Sequence, residues 1–435
     1  MYYCLGTLNM KCLRDGPLKS AIQRSLFTKN TDILSRKSEC PFQISASGLG
    51  LFNRQKRRAT SKASRPKTAI FFPGDGVQKV GMLGPWLRAF PSTAGYFIEE
   101  IDHIMGCKFS RTIEEGPNSL LTATVNSQPA IMACSILILK IIEKEFGFKT
   151  KERVDFALGH SLGEFAALVA AGNVYFEDSL YLIRKRAEVM ADCTRKITAE
   201  YGGEYGMVAL VTEPGKLPPL IEVIDEFLGY HSVGSKSESA EDLPPIQQVL
   251  IASINSNNQI VLSGNIEKIY SLITHVRQIG YHAPRAVKLN GDCPFHSPMM
   301  IPAKKAMQKM LEGKSRVRGR ENQDLVIFPG AIECISSINA RPFKCKEDLK
   351  DLWARSCTET VRWWDSIKYL DQDQSVRRWI GIGPGNVGRN LVGKEVGMRG
   401  KDPVKGGGVW AITDPRECEE VIRALDDTEI QLDET

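Results

Sequence analysis

From Thr68 onward, the apolar residues fall into two patterns: short runs that end in glycine, and longer stretches at helical spacing. Ala69-Ile70-Phe71-Phe72 is a continuous apolar run closed by Pro73-Gly74-Asp75-Gly76, which predicts a buried strand entering a glycine-rich loop. A loop and helix are expected over Val77 to Phe90. Ser127-Gln128-Pro129-Ala130 then opens a long helix reaching Phe146, with proline near its start. Phe156 to Gly159 reads as a second buried strand. A tight turn follows, then a helix from Glu164 to Ala171, then another from Leu180 to Arg195 with Leu182, Ile183, Ala187 and Met190 on one face.

Beyond Gly202-Gly203 the rhythm changes. Met207–Val211, Val249–Ser253, Gln259–Ser263 and Ala286–Leu289 predict strands, with helices over Leu217–Leu228 and Ile266–Ile279. The order β-α-β-β-α-β is the ferredoxin-like supersecondary pattern. Residues 203–290 are therefore expected to form a small α+β subdomain inserted into an α/β core made of 68–202 and 291–435. Within it, residues 231–246 are polar and crowded with Ser, Gly and Glu, the composition of a flexible insertion. In the second part of the core, helices are expected over Ser297–Leu311, Glu347–Ala354 and Trp363–Tyr369. A strand is expected at Ile335–Ile338, and another from Arg378 runs into Gly383-Pro384-Gly385. A helix then begins at Val387, and Val409–Ile412 forms a last strand. The apolar run Ala130–Ile142 is interrupted by Lys140 and is too short to cross a membrane.

Charge changes the picture at one end only. The net charge is +6, but residues 1–67 hold 14 basic against 3 acidic side chains, and the remaining residues 43 against 48. The folded body is mildly acidic, which argues against a nucleic-acid binder. The first 67 residues are poor in acids and rich in Arg, Lys and Ser with scattered Leu and Phe, the composition of an organelle transit peptide. Mitochondrial targeting to the matrix is expected; Gln55-Lys56-Arg57-Arg58 would also suit a nuclear signal or a basic linker. The 11 cysteines are scattered, with no C-x-x-C and no zinc-type spacing, so free thiols and no metal are expected.

The candidate chemistry centres on Gly159-His160-Ser161-Leu162-Gly163-Glu164. A serine between a strand and a helix, with glycine two residues to either side, is a nucleophile elbow. The hydroxyl must stand clear of a strained turn, and flanking Cβ atoms would collide there. The following helix aims its free N–H groups at the serine, which favours negative charge on a nearby oxygen. A base is needed, and the chain has six histidines. His160 adjoins the nucleophile and should point away from it. His296, in Cys293-Pro294-Phe295-His296-Ser297-Pro298, sits on a proline-bounded turn able to reach across a cleft.

These residues resemble malonyl-CoA:acyl-carrier-protein transacylases and, more loosely, the acyltransferase domains of fatty-acid and polyketide synthases. The likeness runs from about Thr68 to Val392. It rests on Phe72-Pro73-Gly74-Asp75-Gly76-Val77-Gln78, Gln128-Pro129-Ala130, the elbow, Arg186, Asn255-Ser256, Phe295-His296-Ser297-Pro298-Met299-Met300 and Gly383-Pro384-Gly385. The resemblance implies a hydrolase-like parallel-sheet α/β core with the ferredoxin-like insert. It implies Ser161 as the nucleophile that holds a malonyl ester, His296 as its base, and the backbone N–H groups of Leu162 and Asp75 as the oxyanion hole. Arg186 would pair with the malonyl carboxylate, Asn255 would meet the pantetheine arm or else form an Asx turn, and the chain carbonyl at Ser356 would orient the histidine. Phe295 with Leu162 resembles the malonyl-selective version of the family, where a ring crowds the α-methyl of methylmalonate by about 1–3 kcal/mol.

Two positions depart from that pattern: Asp75 and Ser356 both stand where the family usually has Gln. Malonyl-CoA and acyl carrier protein are the implied substrate and partner, with no cofactor, nucleic acid or membrane. A monomeric, stand-alone enzyme of fatty-acid synthesis is expected, with carrier docking steered by Lys185, Arg285, Lys288 and Arg389. The residues also suit a serine thioesterase or esterase, or an inactive homologue that only binds acyl carrier protein.

Overall fold

The computed structural model describes residues 65–229, 243–279, 284–397 and 408–430. The basic segment before Arg65, most of the 231–246 insertion, His231 and His282 lie outside the described residues.

Among the described residues, nine strands form two separate sheets. The first holds β1 (Lys67–Phe72), β2 (Phe156–Gly159), β7 (Glu333–Ile335), β8 (Val376–Ile382) and β9 (Gly408–Ile412), in the order β7-β2-β1-β8-β9 and parallel throughout. β1 lies at its centre, with Ile70 in register with Ala157 on one side and Ile380 on the other. Helices cover it, so Ala69–Phe72 of β1 and Phe156–Gly159 of β2 are continuous apolar runs with no polar face. The second sheet is antiparallel, in the order β4-β5-β3-β6, from β3 (Tyr205–Val211), β4 (Val249–Ser256), β5 (Gln259–Asn265) and β6 (Arg285–Lys288). Leu217–Leu228 and Ile266–Gln278 pack their apolar stripes on it around Val208, Leu210 and Leu262. The expected ferredoxin-like order is thus realised as a sheet of its own.

The long helix is Thr124–Glu145, which begins earlier than the proline suggested and places Pro129 inside it. Proline has no N–H to give the Val125 carbonyl one turn back. The Arg184 guanidinium donates to that carbonyl at 2.8 Å instead, and to Asn126 Oδ1 at 2.9 Å. The helix is long and apolar enough to span a membrane, yet 89% of its apolar window is buried inside the protein. It is the core helix against which the elbow helix Gly163–Ala171 and the helix Phe176–Tyr201 pack.

Two expectations need correction. The strand placed at Ile335–Ile338 ends at Ile335, because the Ser337 N–H donates to the Glu164 carboxylate at 2.9 Å rather than to a neighbouring strand. A C-terminal helix, Cys418–Ile430, was not anticipated. It buries Cys418, Val421 and Leu425, and is tied to β8 by the buried Arg378, which donates to the Leu425 carbonyl at 3.2 Å and pairs with Glu429 at 3.1 Å.

The two sheets are joined at Val361, which accepts from Ile254 N–H at 3.0 Å and donates to the Ala252 carbonyl at 2.9 Å. This seam sets the face of the small sheet opposite the carboxyl ends of β1 and β2, where ligands of open α/β sheets bind.

Candidate active site

Ser161 has φ of 53°, a left-handed conformation that costs energy for any residue but glycine. The flanking glycines explain how it is held. A Cβ on Gly159 would lie 2.0 Å from the Gly163 carbonyl carbon, and one on Gly163 would lie 2.5 Å from the Phe72 carbonyl oxygen. The elbow is therefore wedged against the end of β1. Gly163→Ala is expected to destabilise the protein by about 1–3 kcal/mol, the cost of forcing a methyl into packed backbone, as read from the denaturant midpoint.

His296 comes from the turn after β6 and also has a positive φ, 58°. Its turn is braced by Ser297 Oγ donating to the Pro294 carbonyl at 2.7 Å and by His296 N–H donating to the Cys357 carbonyl at 3.1 Å. Nε2 lies 2.7 Å from Ser161 Oγ. On the other side, Nδ1 donates to the Glu359 carbonyl at 3.2 Å. That bond keeps the proton on Nδ1 and leaves Nε2 to accept the serine proton. The orienting partner is a backbone carbonyl rather than a carboxylate.

Ser356 enters the site through its backbone carbonyl, as the resemblance implied, and not through its side chain. Its hydroxyl donates to the Trp353 carbonyl at 2.6 Å and lines no part of the cavity. Its own carbonyl adds to the field that holds the His296 proton, beside that of Glu359.

Burial, the Arg186 charge and His160 together push the His296 pKa down to about 3. The imidazole is a free base across the physiological range. Its folded pKa lies below its ordinary value of 6.5, so the stability it contributes is present above 6.5 and is lost as pH falls toward 3. His296→Gln is expected to lose less thermal stability than the parent between pH 6.5 and 4, measured by melting across that range.

A cavity of about 240 Å³ opens over Ser161 between the Gly74–Val77 loop and the small sheet's Met207, Ala209 and Val261. Asp75, Asn255, Phe295 and His296 line it as well. Among the described residues, the N–H groups of Leu162 and Asp75 take no partner within the chain, so both are free to meet an oxyanion.

Asn255 is already engaged: its Oδ1 accepts from His160 Nε2 at 2.8 Å. The His160 ring stands edge-on to Trp363, 5.3 Å between centroids, and a Cβ on Gly74 would strike its Nδ1 at 2.6 Å. His160 is bonded to Asn255 rather than to the Ser161 hydroxyl, and it forms part of the cavity wall. This His160–Asn255–Trp363 brace is the feature that sequence reasoning missed, and no local signal links its three members.

Arg186 lies on the helix Phe176–Tyr201 and is 2% exposed. Its Nη2 donates to Gln128 Oε1 at 2.8 Å, and the guanidinium sits 4.4 Å from the centroid of the Phe165 ring. Its Nε has no partner among the described residues. It is not one of the residues lining the cavity, but its charge acts on His296, Asp75, Glu164 and Cys357. No carboxylate among the described residues lies within ion-pairing distance of it, so a buried cation is left without a contact counter-ion.

Of the basic residues expected to steer docking, Lys185 and Lys288 are paired with Glu188 and Glu204. Arg389 stands on the helix Val387–Val396, whose Val387 and Leu391 reach the cavity mouth.

A strained serine at a strand–helix turn, a neutral imidazole on its hydroxyl and two free N–H groups define a serine acyltransferase or hydrolase of the α/β class. A family model described as acyl transferase domain matches residues 70–208. A malonyl CoA-acyl carrier protein transacylase of Bacillus subtilis is 32% identical over 359 residues, covering 82% of this chain and 97% of that one. A polyketide-biosynthesis malonyl CoA-acyl carrier protein transacylase of the same organism is 31% identical, covering 74% and 94%. The crystal structure of an acyl-carrier-protein S-malonyltransferase from Bartonella henselae superposes with a TM-score of 0.66 at 28% identity, covering 83% of this chain and 99% of that one. The chain belongs to the malonyl-CoA:acyl-carrier-protein transacylase family.

Proposed function

We propose that this chain moves a malonyl group from malonyl-CoA to the phosphopantetheine thiol of an acyl carrier protein, by way of a malonyl ester on Ser161, in fatty-acid biosynthesis. The observation that carries this reading is the buried guanidinium of Arg186, which has no carboxylate in contact among the described residues and lies within electrostatic range of the Ser161–His296 pair. A hydrolase of neutral esters has no use for such a charge, whereas an acyl group ending in a carboxylate does.

In the first half-reaction Ser161 Oγ attacks the thioester carbonyl while His296 Nε2 takes its proton. The Leu162 and Asp75 N–H groups receive the oxyanion. The tetrahedral adduct collapses, the C–S bond breaks, and the imidazolium returns its proton to the departing CoA sulfur. The second half-reaction runs these steps backward with the carrier thiol as nucleophile.

The test is mass spectrometry of the intact protein after malonyl-CoA, with peptide mapping. A malonyl increment on the Ser161 peptide that is discharged by phosphopantetheinylated carrier supports transfer. Rapid release of free malonate without carrier acylation would make the protein a hydrolase. No adduct with retained carrier binding would make it an inactive docking homologue.

The composition of residues 1–67 supports delivery to the mitochondrial matrix. Import of a reporter fused to this segment into isolated mitochondria tests it, and a reporter left outside would refute it.

A further inference from the structure

We propose that Asp75 sets the acyl-group selectivity of this site: its ionised carboxylate offsets the Arg186 charge and repels an acyl group that ends in a carboxylate, so pH controls the preference for charged over neutral acyl units. The inference rests on the reading of malonyl transfer given above and adds a determinant to it.

The geometry is specific to the Asp75 side chain rather than its N–H. Asp75 lines the cavity that holds Ser161 and His296. Its Oδ1 is buried without a hydrogen-bond partner, as are Ser127 Oγ and Arg186 Nε. Its Oδ2 and the Phe295 ring edge each lie 3.8 Å from the point where a Cβ on Gly291 would stand, which puts the carboxyl beside the base-bearing turn. Ser127 and Arg186 both act on the Asp75 carboxyl, which itself faces the cavity of the reacting serine.

The charged groups facing Asp75 are few. Asp292, from the turn after β6, opposes its ionisation; the adjacent Ser127 hydroxyl, the Gly76 N–H and Arg186 favour it. Burial outweighs them and pushes the Asp75 pKa up to about 6. His296, down at about 3, stays neutral above pH 5, and burial lowers the His160 pKa as well. Cys357 stays a thiol, its pKa raised by burial to about 11. One other group titrates nearby: Glu164, buried and raised to about 7, faces Arg186 from the elbow helix while bonded to Ser337. Below its pKa Asp75 is uncharged and Arg186 acts alone on an incoming carboxylate. Above it, a fixed negative charge competes for the same cation and stands against both the carboxylate and the oxyanion.

The experiment is kcat/KM for malonyl-CoA and for acetyl-CoA between pH 5 and 8, in the parent protein, Asp75→Asn, Asp75→Gln and Glu164→Gln. The two thioesters share their CoA phosphates, so the malonyl/acetyl ratio cancels titration of CoA. In the parent the ratio is expected to fall at least about tenfold as pH rises, the repulsion of one like charge even at about 12 Å at an effective dielectric near 20. Both Asp75 variants are expected to lose most of that fall and to exceed the parent ratio at pH 8, while Glu164→Gln retains it. A pH-independent ratio in the parent overturns the proposal. So does a fall that persists in the Asp75 variants and vanishes in Glu164→Gln. Failure of the underlying reading looks different: no malonyl adduct forms on Ser161 in any of the four proteins.

Discussion

Ser161→Ala will abolish the covalent malonyl intermediate and reduce carrier malonylation by about 10⁴-fold or more, the scale on which serine acyl-transfer sites lose rate with their nucleophile. No neighbour can stand in. The hydroxyl is the group placed 2.7 Å from His296 Nε2, and the nearest thiol named at the site, Cys357, is fully buried and held protonated. Alanine keeps the backbone N–H groups of Leu162 and Asp75, so substrate binding should persist, with KM changing little while kcat collapses. Intact-protein mass spectrometry and a carrier-acylation assay read both effects. An adduct of normal yield on Ser161→Ala would move the nucleophile elsewhere and undo the site described here.

Arg186→Ala will lower kcat/KM for malonyl-CoA by about 10²- to 10³-fold, the range for removing one partner of a buried charged hydrogen-bonded pair, about 2–5 kcal/mol. Activity on acetyl-CoA should fall far less, so the preference shifts toward the neutral acyl group. Arg186 is 2% exposed, has one hydrogen bond to Gln128, and its Nε is unpartnered. A cation held this way carries a desolvation cost that an incoming anion relieves. Arg186→Lys restores charge but not the planar fork, and should recover only part of the malonyl activity. Kinetics on both thioesters check the prediction; an unchanged malonyl preference in Arg186→Ala would sever the charge from the selectivity.

Much of this was open to reading along the chain. The apolar runs of β1, β2 and β8 ending in glycine marked the central sheet, and the β-α-β-β-α-β order marked the second. The helix at Leu217–Leu228 was read at its observed limits. Where reading failed, a longer-range contact had overridden a local preference. Pro129 looked like a helix start, but Arg184 supplies the hydrogen bond that proline forfeits, and the helix extends to Thr124. The strand at Ile335 stops short because the Ser336 N–H turns to the Arg341 carbonyl and the Ser337 N–H to Glu164. The last helix carries apolar residues at 418, 421 and 425, a short stripe that gains its weight only from Arg378 on β8.

What the sequence determined by itself was local: a serine that must stand in a strained turn because Gly159 and Gly163 leave no Cβ to collide, and a proline-bounded turn that presents His296. Those follow from sterics within a few residues. Only the tertiary structure decided which carbonyl holds the imidazole proton, since Glu359 lies 63 positions from His296, and that His160 is braced by Asn255, 95 positions away. It also decided that Arg186 lies buried without a contact carboxylate and that Asp75 turns an unpartnered oxygen inward. Burial and the sum of nearby charges fix those electrostatics, and neither quantity exists until distant segments have packed.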